Sequence, residues 1–206
     1  MVINIENAQQ PDRKPAGIAA SGKTPRLLLH CCCAPCASHV LEYLSPVYDI
    51  TIFFYNPNIQ PREEYHKRAG EFGKLARYAA QRNTADSVFV DTDFAEFDTL
   101  TASLFSELEG GLRCRICFEM RLGKTADHAR ENGFDLFATT LSVSPHKNAK
   151  QLNEIGNVLA EESGVEFYSA DFKKRDGYKR SIELSKQYDL YRQSYCGCRW
   201  SMDRQR

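Results

Sequence analysis

The stretch RLLLHCCCAPC, residues 26–36, decides how this chain folds. Leu27–His30 is a short apolar run that predicts a buried strand. Pro35 is preset for the first turn of the helix that we predict over Cys36–Leu44. A strand that leads directly into a helix is typical of a βαβ unit. We therefore expect a domain that begins at about Arg26 and carries cysteines at the carboxyl end of its first strand.

Short apolar runs and longer amphipathic stretches alternate through the rest of the chain. The predicted strands are Leu27–His30, Ile50–Tyr55, Ser87–Val90, Asp135–Thr140 and Glu166–Tyr168. The predicted helices are Cys36–Leu44, Arg62–Ala80, Phe94–Glu107, Cys114–Asn132, Asn148–Ser163 and Gly177–Tyr188. This alternation predicts an α/β domain of Rossmann-like type, with a doubly wound parallel sheet between two layers of helices. Residues 1–25 show no apolar period, so we expect a flexible tail before a single domain over 26–206.

Polar segments follow three of the predicted strands. They are HCCCAPC after the first strand, YNPNIQP after the second and TTLSVSPHKN after the fourth. An open parallel sheet binds its ligand at the carboxyl ends of its strands, where the strand order reverses. We therefore expect these segments to meet in one crevice. No G-x-x-x-x-G-K-[ST] or G-x-G-x-x-G motif occurs, which counts against a conventional nucleotide site.

The composition narrows the class of protein. The chain has 206 residues, and its apolar runs are too short to span a bilayer, so we expect no membrane association. Nothing in the first 26 residues resembles a secretion signal, and we expect a cytoplasmic protein. Eight cysteines in that compartment are more often metal ligands or redox groups than structural disulfides.

The charges cancel overall but are distributed unevenly. Lys and Arg number 27, as do Asp and Glu. Residues 61–109 carry six basic and ten acidic side chains. Residues 110–206 carry seventeen basic and thirteen acidic side chains. The later half is therefore the better candidate for contact with a polyanion.

The cysteines fall into three groups that are far apart in sequence: residues 31–33 with 36, the pair 114 and 117, and the pair 196 and 198. Cys114 and Cys117 stand three apart near the predicted start of a helix, which places both sulfurs on one face and favours thiolate. The glycine of Cys196-Gly197-Cys198 allows the backbone to turn two more sulfurs toward one neighbour. The groups can meet only through folding.

Three kinds of site remain open from the residues alone. A structural zinc site needs four sulfurs and leaves several thiols unused. A dithiol exchange site needs one Cys-x-x-Cys pair and leaves even more of them unexplained. An excess of soft thiolates suits an iron–sulfur cluster, with a second metal beside it.

At HCCCAPC, FFYNPNIQP, RCRICFEMRL, TTLSVSPHKN and YRQSYCGC, the chain resembles the cobalamin-independent epoxyqueuosine reductase family called QueH. These segments run in order from about Leu27 to Trp200. The resemblance implies a HUP-like fold, a [4Fe-4S] cluster and an adjacent second iron. It also implies a reaction, the two-electron reduction of the epoxide of epoxyqueuosine to queuosine at the tRNA wobble position. Water is released, and neither cobalamin nor NAD takes part.

The resemblance assigns seven cysteines to metal binding. They are Cys32, Cys33, Cys36, Cys114, Cys117, Cys196 and Cys198, with Cys31 outside the pattern. The ligands it implies for the cluster are Cys33, Cys114, Cys117 and either Cys36 or Cys32. The remaining thiols and the Cys196/Cys198 pair would hold the second iron. The partner it implies is the anticodon arm of a tRNA, together with an external electron donor that the sequence does not identify.

Further polar residues are candidates for other tasks. Candidates for substrate or tRNA contact are Asn56, Asn58, Lys147, Asn148 and Tyr195. Turn formation, helix capping and packing over the metal are the ordinary alternatives for these residues. Candidate proton donors are Tyr65, His30 and Lys147. Of Arg113, Arg115 and Arg121, we expect at least two to be solvated helix charges.

Two other functions compete with the reductase. The first is a tRNA-thiolating enzyme that uses an iron–sulfur cluster, but such an enzyme needs ATP and the chain has no phosphate-binding loop. The second is a zinc-stapled RNA-binding module, which would carry one zinc and no iron.

Overall fold

The structure, a computed structural model, describes residues 23–81, 85–90 and 92–202. The strands are β1 (Arg26–His30), β2 (Asp49–Phe54), β3 (Ala85–Phe89), β4 (Leu136–Thr139) and β5 (Glu166–Phe167). The helices are α1 (Ala34–Leu44), α2 (Arg62–Gln81), α3 (Phe94–Thr101), α4 (Leu112–Glu131), α5 (Ala149–Ser163), α6 (Gly177–Gln187) and α7 (Arg199–Met202). Two short 3-10 helices span Ala102–Leu104 and Thr140–Val143.

The five strands form one parallel sheet in the order β3-β2-β1-β4-β5. The chain builds outward from β1 through β2 to β3, and then returns to the other side of β1 to add β4 and β5. His30 at the end of β1 therefore lies between Phe53 of β2 and Thr139 of β4. This reversal of strand order is the switch point at which open α/β sheets bind ligands.

Helices cover both faces of the sheet. Leu27 and Leu29 of β1 point into one apolar cluster, which includes residues of α1 and α2, and α6 packs on α1. Leu28 points into a second cluster with Phe137 of β4 and residues of α4, which packs on α5. Successive side chains of a strand point to opposite faces of the sheet, and both faces are covered by helices here. Consecutive residues of a strand are therefore buried, which explains the continuous apolar runs in the sequence. The prediction of a parallel α/β domain is confirmed.

Two boundaries differ from the prediction for local reasons. The helix predicted over Phe94–Glu107 ends at Thr101, and the chain continues as a 3-10 helix. Glu107 instead serves the next helix, because its Oε2 accepts a hydrogen bond from the Leu112 N–H at the start of α4. Helix α4 therefore begins two residues before the predicted start at Cys114. Helix α7 is too short to leave a periodic pattern in the sequence.

Residues 1–22 of the predicted tail and residues 203–206 lie outside the described residues. Within the residues that are described, no helix is long and apolar enough to cross a membrane.

Candidate metal centre

The first group of cysteines lies where β1 turns into α1. The Cys31 N–H extends the sheet by donating to the Phe53 carbonyl, and the side chain is fully buried. The sulfurs of Cys32, Cys33 and Cys36 lie within 4.8 Å of one another, and those of Cys32 and Cys33 are 3.8 Å apart. Tetrahedral metal–thiolate bonds of about 2.3 Å place sulfurs about 3.8 Å apart. The three thiols can therefore share one metal atom, and Cys31 lies outside this set.

The end of β4 holds this turn in place. The Cys32 N–H donates to Thr140 Oγ1 at 3.1 Å, and the Thr140 hydroxyl donates to Cys32 Sγ at 3.3 Å. The two residues follow β1 and β4, the adjacent strands at which the sheet order reverses. The thiol triad therefore sits at the switch point, supported by both halves of the sheet.

His30 lies directly beneath this turn and is fully buried. Its Nδ1 is 2.9 Å from Thr139 Oγ1, and its Nε2 is 3.3 Å from the Tyr55 carbonyl. Because that carbonyl can only accept, Nε2 carries the proton. Burial, together with the charge of Arg121, lowers the pKa of His30 to about 3. The ring is therefore neutral near pH 7 and links β1, β2 and β4.

The second group lies in the first two turns of α4. Cys117 is buried and Cys114 is half-buried, and the Gly110 N–H donates to Cys114 Sγ at 3.2 Å. Residues three apart share one face of a helix, as the spacing predicted. The prediction that the helix start favours thiolate here is wrong, because burial raises the pKa of Cys117 to about 12 and also raises the pKa of Cys114. A metal ion would have to displace that proton as it binds.

The third group lies on a loop that is fastened to the loop after β2. Gly197 has φ +121°, a conformation that favours glycine, and its carbonyl accepts from the Gln60 N–H at 2.8 Å. The Tyr195 hydroxyl donates to the Gln60 carbonyl at 2.6 Å. Arg68 donates to the carbonyls of Cys196 and Tyr195 at 3.0 and 3.2 Å. These bonds hold the Cys-Gly-Cys turn against the site.

A cavity joins the second and third groups. Cys114, Cys117, Cys196 and Cys198 line it, together with Lys147 from the segment after β4. The charge of Lys147 interacts with Cys196 and also with Cys32 of the first group. Cysteines from two distant segments therefore line one cavity, and the charge of Lys147 connects this cavity with the first group.

Arg121 shows that the site suits an anionic group. The side chain is 2% exposed, and within the described part of the chain it forms no ion pair with a carboxylate. Its guanidinium donates to Asn56 Oδ1 and lies 3.8 Å from Cys117 Sγ. A buried charge without compensation is costly. Metal-bound thiolates beside Arg121 would supply the missing negative charge, so the donor set fits a metal–thiolate centre.

Comparison with known proteins identifies the family of this chain. Residues 27–204 match the family described as Epoxyqueuosine reductase QueH. The chain belongs to this family. One relative named Epoxyqueuosine reductase QueH, from Streptococcus pyogenes serotype M1, is 43% identical over 84% of this chain and 69% of its own length. A relative of the same name from Staphylococcus epidermidis is 40% identical over 86% of this chain and 76% of its own length. One from Thermotoga maritima is 37% identical over 85% of this chain and 90% of its own length.

The three predicted asparagines lie in different environments. Asn56 is fully buried and connects two parts of the site, because its Nδ2 donates to the Cys31 carbonyl and its Oδ1 accepts from Arg121. Asn58 is 1% exposed and lines the cavity. Asn148 also lines the cavity and is the N-cap of α5, where its Oδ1 accepts from the N–H groups of Lys150 and Gln151.

The two predicted tyrosines lie outside the described lining of the cavity. The Tyr65 hydroxyl is 3.3 Å from Thr92 Oγ1, and its ring packs edge-on against Phe94. The Tyr195 ring lies 5.2 Å from the Arg68 guanidinium, and its hydroxyl holds the Gln60 carbonyl. Both side chains contact the elements that surround the metal centre.

The prediction that at least two of the three α4 arginines are solvated is wrong. Arg113 and Arg121 are each 2% exposed, and only Arg115 is exposed, paired with Glu119. Arg113 donates to the carbonyls of Leu104 and Glu107 at 2.9 Å each, which fastens the 3-10 segment to α4. The signal was available in the spacing, because residues 113, 117 and 121 share the face that carries a predicted ligand.

Proposed function

We propose that this chain reduces the epoxide of epoxyqueuosine, at the wobble position of a tRNA, to queuosine with release of water. One observation carries the proposal. Cysteines of the second and third groups line one cavity, and Lys147 in its wall interacts with Cys32 of the thiol triad at the switch point, in a chain that belongs to the epoxyqueuosine reductase family. The cavity combines apolar side chains with a few polar ones, as small-molecule sites do.

The proposed reaction consumes two electrons and two protons. Both bonds between the epoxide oxygen and carbon break, a double bond forms between the two carbons, and the oxygen leaves as water. The electrons come from an external donor, and neither NAD nor cobalamin is needed. The site must therefore neutralise charge that develops on oxygen and deliver protons to it.

We propose that a [4Fe-4S] cluster and a second, adjacent iron occupy the site. The cluster ligands are Cys33, Cys114, Cys117 and either Cys36 or Cys32, and the second iron is held by Cys196, Cys198 and the remaining thiols. When bound, these groups supply electrons and a Lewis acid for the epoxide oxygen. The buried charge of Arg121 offsets the negative charge of the thiolates.

Lys147 is the proton donor that we propose among the three candidates. It lines the cavity with the cysteines. Burial favours the neutral amine, but the charges of Cys196, Cys32 and Cys36 outweigh burial and raise the pKa of Lys147 above its usual range. The ammonium form therefore persists at neutral pH and can donate to the departing oxygen. His30 is neutral and Tyr65 lies outside the described cavity lining, so we assign positioning roles to both.

A basic segment beside the cavity suits the anticodon arm. Lys173 lies 3.4 Å from the Lys147 carbonyl and pairs with Asp171 at 2.7 Å. Lys174 and Arg175 follow it and are exposed. We propose that this segment contacts the phosphates of the tRNA while the modified base enters the cavity.

Anaerobically purified protein tests the proposal. We expect about five irons per chain, brown colour, and conversion of epoxyqueuosine in tRNA when a chemical reductant is supplied. The Cys117→Ala variant should lose iron and turnover. Its matched control is Cys31→Ala, another buried cysteine that lies outside the metal set, and it should keep both.

Two results would overturn the proposal in different ways. One zinc per chain without iron would identify a zinc-stapled RNA-binding module. Iron together with ATP-dependent addition of sulfur to tRNA would identify a thiolating enzyme.

A further inference from the structure

Two side-chain amides in the wall of the cavity have no hydrogen-bond partner for their oxygens. They are Asn58 Oδ1 and Gln151 Oε1, and both atoms are buried. An unsatisfied buried acceptor is costly, and most buried acceptors in folded proteins are paired. Two such acceptors in one cavity therefore indicate a ligand that brings hydrogen-bond donors to them.

The two amides come from opposite sides of the switch point. Asn58 belongs to the loop after β2, and Gln151 lies in the first turn of α5, which follows β4. The strands β2 and β4 flank β1 on its two sides. A ligand between the two amides would lie directly beyond the carboxyl end of β1, beside the cysteines.

Both residues are held in place by their backbone surroundings rather than by their side chains. The Gln151 N–H donates to Asn148 Oδ1, which fixes the start of α5. The loop of Asn58 is tightened by a bond from the Ile59 N–H to the Asn56 carbonyl. The two amide oxygens remain available to a ligand, since no described contact uses them.

The rest of the wall narrows the class of ligand. Phe97 and Phe118 supply apolar surface, and Lys147 supplies a positive charge. A small ring that carries hydroxyl groups matches a pocket of this kind, with carbon faces for the aromatic rings and O–H donors for the two amides.

We propose that Asn58 and Gln151 are the specificity-determining residues that hold the hydroxyl groups of the substrate's epoxide-bearing ring. This inference rests on the proposed function and deepens it. By holding the hydroxyl groups, the two amides orient the ring so that the epoxide faces the metal centre. A ring without hydroxyl groups leaves both acceptors unpaired and is rejected.

Kinetics of the iron-loaded enzyme test the proposal. Gln151→Leu should raise KM for epoxyqueuosine tRNA about tenfold, the effect of one lost hydrogen bond. Gln151→Glu keeps an acceptor oxygen and should restore most of the affinity. Asn157→Leu removes an amide on the same helix whose oxygen is already bonded to Ser169, so its KM should match that of the wild type. Iron content should be unchanged in all three.

A direct binding measurement separates this inference from the proposed function. Calorimetry with the product nucleoside queuosine, which keeps the ring hydroxyls and has no epoxide, should show weaker binding to Gln151→Leu and Asn58→Leu than to the wild type. A synthetic analogue without ring hydroxyls should bind all three proteins equally weakly.

Equal queuosine affinity in wild type and both leucine variants, with folded protein by circular dichroism, would overturn the inference even if the enzyme reduces its substrate. Loss of binding in the variants of a protein that shows no turnover would support the inference while the proposed reaction fails.

Discussion

Replacing Gly197 with alanine should weaken both the fold and the metal centre. Gly197 has φ +121°, which an L side chain adopts at a cost of about 1–3 kcal/mol. A Cβ at this position would lie 2.9 Å from an Arg68 nitrogen and 3.2 Å from Ile59 Cγ1. Arg68 cannot retreat freely, because Glu64 holds it at 2.7 Å and it donates to the carbonyl of Cys196. We expect destabilisation of roughly 2–4 kcal/mol in total.

Thermal unfolding and iron analysis measure the effect. In a domain of this size, about 1 kcal/mol corresponds to 2–4 °C, so Tm should fall by roughly 5–15 °C. Because the loop carries Cys196 and Cys198, iron retention should fall as well. The matched control is Gly123→Ala, at a glycine inside α4. The new Cβ would meet only Leu159, at 3.9 Å, and the substitution should stabilise the protein by about 0.5–1 kcal/mol. A Gly197→Ala protein with unchanged Tm and full iron content would show that residue 197 does not need a glycine and that its loop does not hold the metal ligands in place.

Two further predictions concern charge. Arg121→Leu removes a buried positive charge that lies 3.8 Å from Cys117 Sγ. The attraction between this charge and a negative charge on that sulfur is about 4 kcal/mol, and its attraction for an added electron that is spread over the whole metal centre is about 1–2 kcal/mol. The reduction potential should fall by roughly 50–90 mV in a spectroelectrochemical titration, with Arg115→Leu unchanged. Replacing Lys173, Lys174 and Arg175 together with alanine should weaken the salt dependence of tRNA binding. The slope of log affinity against log salt concentration should become shallower by up to about two, while the iron content stays constant. An Arg121→Leu protein with the reduction potential of the wild type would contradict the role of Arg121 beside the metal centre. A triple variant with the salt slope of the wild type would show that the basic segment does not contact the tRNA.

Much of the fold could be predicted because it depends on local patterns. Buried parallel strands leave continuous apolar runs, and Pro35 indicates the first turn of α1, so the element order follows from the sequence. The position of the first cysteine group beside the segments after β2 and β4 also follows, because strand ends share one edge of a parallel sheet. The end of α3 could not be predicted, since it depends on Glu107 bonding to the next helix.

The polar part of the site was less predictable because burial of charge is decided by tertiary partners. Arg121 looks like an ordinary helix charge until Asn56 and Cys117 are brought beside it from elsewhere in the fold. Gln151 carries no sequence motif, and its importance depends on an unpaired oxygen in the cavity wall. Such roles arise from which side chains the fold leaves paired or unpaired.

The most direct test of the central claim is mass analysis of nucleosides from epoxyqueuosine-containing tRNA after anaerobic incubation with the iron-loaded protein and a reductant. We expect the modified nucleoside to lose the mass of one oxygen atom and to co-elute with queuosine, and we expect the Cys117→Ala protein to leave the nucleoside unchanged. An unchanged nucleoside with the wild-type, iron-loaded protein, or a gain in mass from sulfur, would show that the chain is not an epoxyqueuosine reductase.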